Sequence, residues 1–140
     1  DERETEGAGA AGGIGFAVLS FFPCEFQSGL SLLAKEGDLE SLIKKADLVI
    51  TGEGKFDDQS LGGKVPVGIS RIAQRHAVPV LLFAGKIDSE RTAIEEENIR
   101  SLIPIVDAPM TLNEAMENGP KLLEKAVRRS LDLLSLGKDI

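Results

Sequence analysis

The stretch Thr51-Gly52-Glu53-Gly54-Lys55-Phe56-Asp57-Asp58-Gln59-Ser60-Leu61-Gly62-Gly63-Lys64 combines glycines, carboxylates and lysines between two apolar runs. Its glycines let backbone approach a ligand closely, and Glu53, Asp57 and Asp58 offer hard oxygen ligands of the kind that hold Mg²⁺ beside phosphates. Lys64 stands where the next helix is expected to begin, a place where the helix dipole disfavours a cation unless an anion docks beside it. Phosphate at a helix N-terminus, with a lysine and carboxylate-held Mg²⁺ at hand, is an arrangement that positions a phosphoryl group for transfer. The plain alternative is a solvated polar connection in which Glu53, Asp57 and Asp58 are surface carboxylates or caps.

A second glycine-rich stretch, Gly7-Ala8-Gly9-Ala10-Ala11-Gly12-Gly13-Ile14-Gly15, precedes the apolar residues Phe16 to Phe22 and the terminator Pro23. It reads as the entry to a buried helix whose first N–H groups could cradle an anion, or as the tight packing of small residues. Gly7, Gly9 and Gly12 match Gly-x-Gly-x-x-Gly. The charged residues before them cannot be the buried strand that a dinucleotide site requires, so that reading fails. Lys64 is followed by Val65 and Lys55 by Phe56, which excludes a Walker-type phosphate loop. His76 is expected to cap a helix end, Cys24 to be buried, inert filler without an activating neighbour, and Glu95-Glu96-Glu97 to form a solvated helix face.

The elements that must position these residues follow from apolar spacing. Leu30, Leu33 and Ala34, then Leu39, Leu42, Ile43 and Ala46, predict two short helices around Gly37-Asp38, with Asp38 as N-cap. Asp47 to Thr51 and Val78 to Ala84 read as strands covered on both faces, ended by Gly52 and Gly85, and Ile99 to Val106 as a third, interrupted by Pro104. Between them, Val65, Ile69, Ile72 and Ala73 repeat at helical spacing with Pro66 in the first turn. Ser89 to Asn98 is expected as an acidic helix, and Leu112 to Met116 and Leu122 to Leu136 as closing helices. No internal repeat is expected. Alternating strands and helices, with strands lacking polar alternation, give an α/β fold with a parallel sheet and a ligand crevice at the strands' carboxyl ends.

Composition bounds the partners. The chain has 140 residues, 42% of them hydrophobic, and a net charge of -7, which fits a folded domain and gives no overall attraction to nucleic acid or to an anionic membrane. The longest apolar candidate, Ile14 to Phe22, is too short to cross a bilayer. A single cysteine cannot form an internal disulfide, and the cytoplasm is the expected location. The opening Asp1-Glu2-Arg3 without methionine suggests a fragment.

Three stretches together carry a resemblance: Gly7 to Gly13, Ala46-Asp47-Leu48-Val49-Ile50-Thr51-Gly52-Glu53-Gly54, and Asp57-x-Gln59-Ser60-x-x-Gly63-Lys64-x-Pro66. They resemble the carboxyl-terminal part of the type I glycerate kinases. The resemblance implies phosphorylation of D-glycerate from ATP, at the 2-hydroxyl, with Mg²⁺. It also implies two α/β domains, one flavodoxin-like and one inserted into it, with the active site in the cleft between. Residues 1–46 would then be the end of the inserted domain and residues 47–140 the carboxyl-terminal part of the flavodoxin-like one. Thr51, Gly52, Glu53, Gly54, Asp57, Gln59, Ser60, Gly63 and Lys64 fall on the family's cleft motif, and Gly7, Gly9, Gly12 and Gly13 on its glycine-rich one. Lys64 and the Gly7 to Gly13 amides are expected on phosphate, with Glu53 or Asp57 on Mg²⁺ or acting as base.

Two positions depart from the pattern: Glu6 stands where the family has proline, and Ser60 where threonine is commoner. The expected partners are ATP, D-glycerate and the amino-terminal part of the same protein, without which the chain should be inactive; a homodimer is left open. The alternative is a non-catalytic flavodoxin-like module that binds a small anion or phosphorylated ligand. If Lys64 contacts phosphate, Lys64→Ala in the full-length protein lowers glycerate-dependent turnover at least about tenfold in a steady-state assay, as loss of a charged transition-state contact does.

Overall fold

The computed structural model describes residues 5, 7–57, 60, 65–88 and 97–137. The chain forms two compact units, Asp1–Gly37 and Asp38–Ile140. The larger carries a sheet of three parallel strands, β1 (Val49–Asp57), β2 (Val80–Asp88) and β3 (Ile99–Pro104), in that spatial order. This is the expected α/β architecture.

β2 is central, and Val80, Leu81, Leu82, Phe83 and Ala84 are all buried, as an apolar strand with helices over both faces must be. On one face, α3 (Leu39–Lys44) and α4 (Val65–Arg75) cover Val80 through Ile43, Ala73 and Val78. Farther along that face Phe56, Val67, Leu82, Ala84 and Ile99 pack together. α4 forms because Pro66, Val67, Ser70 and Ala73 return to one side every three or four residues, with Pro66 in the first turn where no N–H is needed.

After β3, the short helix α5 (Leu112–Glu117) is opened by a capping box: Thr111 Oγ1 accepts from the Glu114 N–H at 3.3 Å, and the Glu114 carboxylate accepts from the Thr111 N–H at 2.7 Å. The longer α6 (Gly119–Leu136) buries Leu122 and Ala126. Asp107, in the connection after β3, holds α6 by ion pairs to Lys125 at 2.6 Å and Arg129 at 3.5 Å.

Several expectations are corrected. β1 and β2 continue past Thr51 and Ala84 to Asp57 and Asp88, because apolar residues report burial while the backbone ladder pairs whatever side chains it carries. β3 stops at Pro104. Asp38 occupies the N-cap position of α3 with a left-handed φ of 48° and its side chain makes no capping hydrogen bond. Ser28 does cap, accepting at 3.5 Å from the Ser31 N–H at the start of α2 (Gly29–Glu36). The His76 N–H donates to the Ala73 carbonyl of α4 at 3.0 Å, but its side chain does not cap the helix; its Nε2 lies 2.9 Å from Glu40 Oε1. Glu97 is not on a solvated helix face but grips Arg71 through both carboxylate oxygens, at 2.6 and 2.8 Å. The rest of the expected acidic helix, residues 89–96, lies outside the described residues.

In the smaller unit, α1 (Ala10–Phe21) is not a buried helix: only Gly15 is buried within it, Phe21 is 80% exposed, and Cys24, expected to be buried filler, is exposed as well. It is also interrupted, since Ala11, Gly12 and Gly13 have left-handed φ of 51°, 69° and 95°. Apolar composition states what would gain from cover, and the described residues provide little. No helix among the described residues is long and apolar enough to cross a membrane.

The hydrogen bond from Lys125 and the charges of Lys125 and Arg129 hold the Asp107 carboxyl below its ordinary 3.8, against a smaller opposing effect of desolvation. A depressed folded pKa gives stability that is present above the unfolded value and lost as pH falls through the folded one. Asp107→Asn should therefore flatten the loss of stability below about pH 4, read by urea unfolding at several pH values, the ordinary aspartate pKa being ~3.9.

Candidate active site

Thr51, Gly52, Glu53, Gly54, Lys55 and Asp57 lie in β1 itself, not in a loop after it. Thr51 and Glu53 pair with Leu82 and Ala84 in the ladder between β1 and β2. Oε1 of Glu53 is sealed from solvent without a hydrogen-bond partner among the described residues. A buried acceptor left in this state is destabilising by about 1–3 kcal/mol, a penalty that a donor from a ligand would remove.

Asp57 is in the opposite condition. Its Oδ1 accepts from the Ser60 N–H at 3.3 Å, its Oδ2 pairs with Lys55 Nζ at 2.9 Å, and its own N–H donates to Ser60 Oγ at 3.2 Å. Ser60 is fully buried, so this reciprocal pair pins the chain where β1 ends. The two carboxylates that the sequence offers as equals are thus distinguished by their surroundings.

Sequence reasoning missed three residues here. Lys55 Nζ also reaches Asp88 Oδ2 at 3.6 Å, and Lys86 Nζ approaches the same oxygen at 3.1 Å. Hydrogen bonding to Asp57 raises the Lys55 pKa, and hydrogen bonding to Lys86, with the charges of Lys86 and Lys55, lowers that of Asp88. A signal was present: Gly54-Lys55-Phe56-Asp57 and Gly85-Lys86-Ile87-Asp88 share the pattern Gly-Lys-apolar-Asp. The register sets Lys55 opposite Lys86, Phe56 opposite Ile87 and Asp57 opposite Asp88.

The glycines divide by what surrounds them. A Cβ at Gly52 would stand 2.9 Å from the Phe83 carbonyl oxygen, and one at Gly85 2.5 Å from that of Gly54, so these two are needed for close strand approach. Gly54, Gly9, Gly12 and Gly13 have nothing within 4 Å of such a position. Gly7, at φ 90°, lies against the Phe26 ring and lines a cavity of about 330 Å³ with Ala10, Gln27 and Ser28. A second cavity, of about 440 Å³, lies beside β1, with apolar walls from Ile50, Phe83, Ile105, Leu123 and Val127 and with Thr51, Gly52 and Glu53 along its strand side. Asp58, Gln59, Gly63 and Lys64 lie outside the described residues. No group of three or more His, Cys, Asp or Glu among the described residues could hold a metal ion. Mg²⁺ needs less, since one or two carboxylates together with substrate phosphates suffice, and Glu53 can supply one of them.

A parallel α/β sheet with polar side chains gathered toward the carboxyl ends of its strands defines the class of fold that binds small molecules at that edge. Comparison with known proteins gives the family: residues 1–135 match the glycerate kinase family, and the chain belongs to it. It is 37% identical over 136 residues to a glycerate kinase of Bacillus subtilis (strain 168), covering 97% of this chain and 36% of that protein. With a glycerate 2-kinase of Escherichia coli (strain K12) it shares 34% identity over 137 residues, covering 98% of this chain and 36% of the relative. A crystal structure of a candidate glycerate kinase 2 from Salmonella typhimurium LT2 superposes with a TM-score of 0.70 at 31% identity, over 96% of this chain and 34% of that one. The chain therefore spans about a third of the length of these relatives.

Two substitutions test the packing of the site. Gly85→Ala forces a methyl against the Gly54 carbonyl and should lower stability by about 1–3 kcal/mol, as overpacking does. Ser60→Ala deprives the Asp57 N–H of its acceptor and should be destabilising by about 1–3 kcal/mol, as a lost buried partner is. Urea unfolding midpoints check both.

Proposed function

We propose that this chain is the carboxyl-terminal portion of an enzyme that phosphorylates D-glycerate from ATP, with the 2-hydroxyl as acceptor. Membership of the glycerate kinase family supports the reaction class, and the name of the Escherichia coli relative, glycerate 2-kinase, supports the acceptor position. Within the family's cleft motif, the observation that carries the assignment of roles is the buried Oε1 of Glu53, which has no partner among the described residues.

In this reading Glu53 is the proton acceptor. The glycerate oxygen forms its bond to the γ-phosphorus of ATP as the bond to the leaving ADP oxygen breaks, and the hydroxyl proton passes to the Glu53 carboxylate. Asp57 has both oxygens engaged by Ser60 and Lys55, so its part is to fix the end of β1 and hold the Lys55 ammonium in place. Thr51, Gly52 and Gly54 supply backbone along the same strand, Ser60 and Gln59 the turn that follows, and Gly63 with Lys64 the approach to α4, where phosphate is favoured by the helix dipole. The Gly7, Gly9, Gly12 and Gly13 amides are further phosphate donors in this proposal. Mg²⁺ entering with the nucleotide would neutralise phosphate charge, and Glu53 would hold it only in the alternative to its role as base. Residues 1–46 are assigned to the end of an inserted domain and residues 47–140 to the flavodoxin-like one, with α3 packed on the sheet through Ile43. The location assigned is the cytoplasm.

ADP release from Mg-ATP and D-glycerate by the full-length protein tests the reaction, with glycerate omitted as control. Glu53→Gln retains an oxygen for a metal ion but cannot accept the proton. It should lower kcat by about 10²–10⁴-fold at every Mg²⁺ concentration, the usual range for loss of a general base. Recovery of Glu53→Gln at high Mg²⁺ would make Glu53 a metal ligand instead. Absence of glycerate-dependent release from the folded full-length protein would leave a binding module.

A further inference from the structure

Two lysines stand side by side at the carboxyl ends of β1 and β2. The ladder sets Lys55 opposite Lys86, and neighbouring strands are only about 4.8 Å apart. Like charges at such spacing repel, which favours an anion shared between them. Asp88 is that anion: its Oδ2 lies 3.1 Å from Lys86 Nζ and 3.6 Å from Lys55 Nζ.

The two aspartates paired in the same ladder are not equivalent. The Asp57 side chain is 19% exposed and is held through Oδ2 by Lys55 and through Oδ1 by the Ser60 N–H, as part of the brace at the end of β1. The Asp88 side chain is 56% exposed, and both of its ion pairs use the one oxygen, Oδ2. An exposed ion pair of this kind is held weakly, because water competes for both partners. Asp88 is therefore the member of the group that another carboxylate can replace without uncovering anything buried. Lys86 is the ammonium it would release, having no other ion-pair partner among the described residues, whereas Lys55 stays tied to Asp57.

We infer that Lys86, together with Lys55, binds the carboxylate of glycerate, and that Asp88 holds their place when no substrate is bound. This rests on the reading of the chain as part of a glycerate kinase, and it adds a residue outside the cleft motif that selects the acid end of the substrate. Both lysines lie at the edge of the sheet where parallel α/β folds bind small molecules. Lys55 follows Glu53, the proposed proton acceptor, by two residues, roughly 7 Å along the strand. Charge favours glycerate over nucleotide as the occupant. With Asp88 turned away, Lys55, Lys86 and Asp57 leave a single net positive charge, which complements a monocarboxylate and falls short of a polyphosphate.

Titration calorimetry on the full-length protein without ATP tests this, with D-glycerate and its neutral amide, D-glyceramide, as probes. The unmodified protein should bind the acid at least about tenfold more tightly than the amide, as a charge-assisted hydrogen bond exceeds a neutral one. Lys86→Met should cut that preference at least about fivefold, and Lys86→Arg, which keeps the charge, should restore most of it. Asp88→Asn removes the internal competitor and should tighten D-glycerate about two- to fivefold, the strength of an exposed ion pair. A lysine with only a structural part would weaken acid and amide alike, and that result would overturn the inference. So would D-glycerate binding that Asp88→Asn leaves unchanged or weakens. Loss of Mg-ATP binding in Lys86→Met, with D-glycerate binding retained, would assign the pair to nucleotide phosphate and overturn it as well. Any of these results alongside glycerate-dependent ADP release would remove Lys86 from the site and leave the kinase reading. Acid-selective binding through Lys86 without ADP release would remove the kinase reading and leave the carboxylate site.

Discussion

Five consecutive residues, Val80 to Ala84, present no polar side chain to either face of the sheet, and α3, α4 and α6 are placed by the need to cover them. Burial of apolar surface contributes roughly 25 cal/mol per Å², so a strand of this kind is stable only between two layers. α3 and α4 close one face through Ile43, Ala73 and Val67, and α6, whose Leu123 and Val127 lie beside Ile50 and Phe83, packs on the other. β1 and β3 complete the sandwich by satisfying the backbone of β2 on both edges. The candidate site exists because β1 is carried past this core by a partner already fixed in place.

Beyond the core the same ladder governs side chains of a different kind. Asp57 is held through both oxygens by Ser60 and Lys55, and Asp88 through one oxygen by Lys86 and Lys55, so the strand ends are braced by local ion pairs and hydrogen bonds. Glu53, nearer the core, has its Oε1 sealed without a partner among the described residues. The contrast follows from position along the strand: at the tip, flexible lysines can fold over a carboxylate, whereas beside Ala84 the neighbours are apolar or backbone.

The parallel order, the central strand and α4 were legible because each is specified by side chains that must be buried, and burial leaves a pattern. The extension of β1 through Glu53 and Lys55 was not, since hydrogen bonding between backbones is indifferent to the residues that carry it. Asp38 met the chemical criterion for an N-cap but adopts a left-handed backbone from which its side chain does not cap. Glu53 and Asp57 were both visible as carboxylates in a glycine-rich stretch. Which of them is occupied depends on Ser60 and Lys55 closing over Asp57, a fact of three-dimensional geometry that spacing does not encode. Lys86 and Asp88 could have been found by aligning the two Gly-Lys-apolar-Asp tetrads with each other.

The pairing of β1 with β2 keeps one offset from Val49 opposite Val80 to Asp57 opposite Asp88, without a bulge, while β2 and β3 slip by a residue after Val80. This has a kinetic meaning. Loop closure is entropically paid once for a given offset, so whichever pair of β1 and β2 meets first brings the whole of both strands within zippering distance. α4, a local structure that forms without long-range contacts, shortens the span to be closed. β3 shares neither advantage, for its slipped ladder must find two registers. Assembly of the sheet is thereby biased to begin at the strand pair that ends in the candidate site, with β3 joining a template already made.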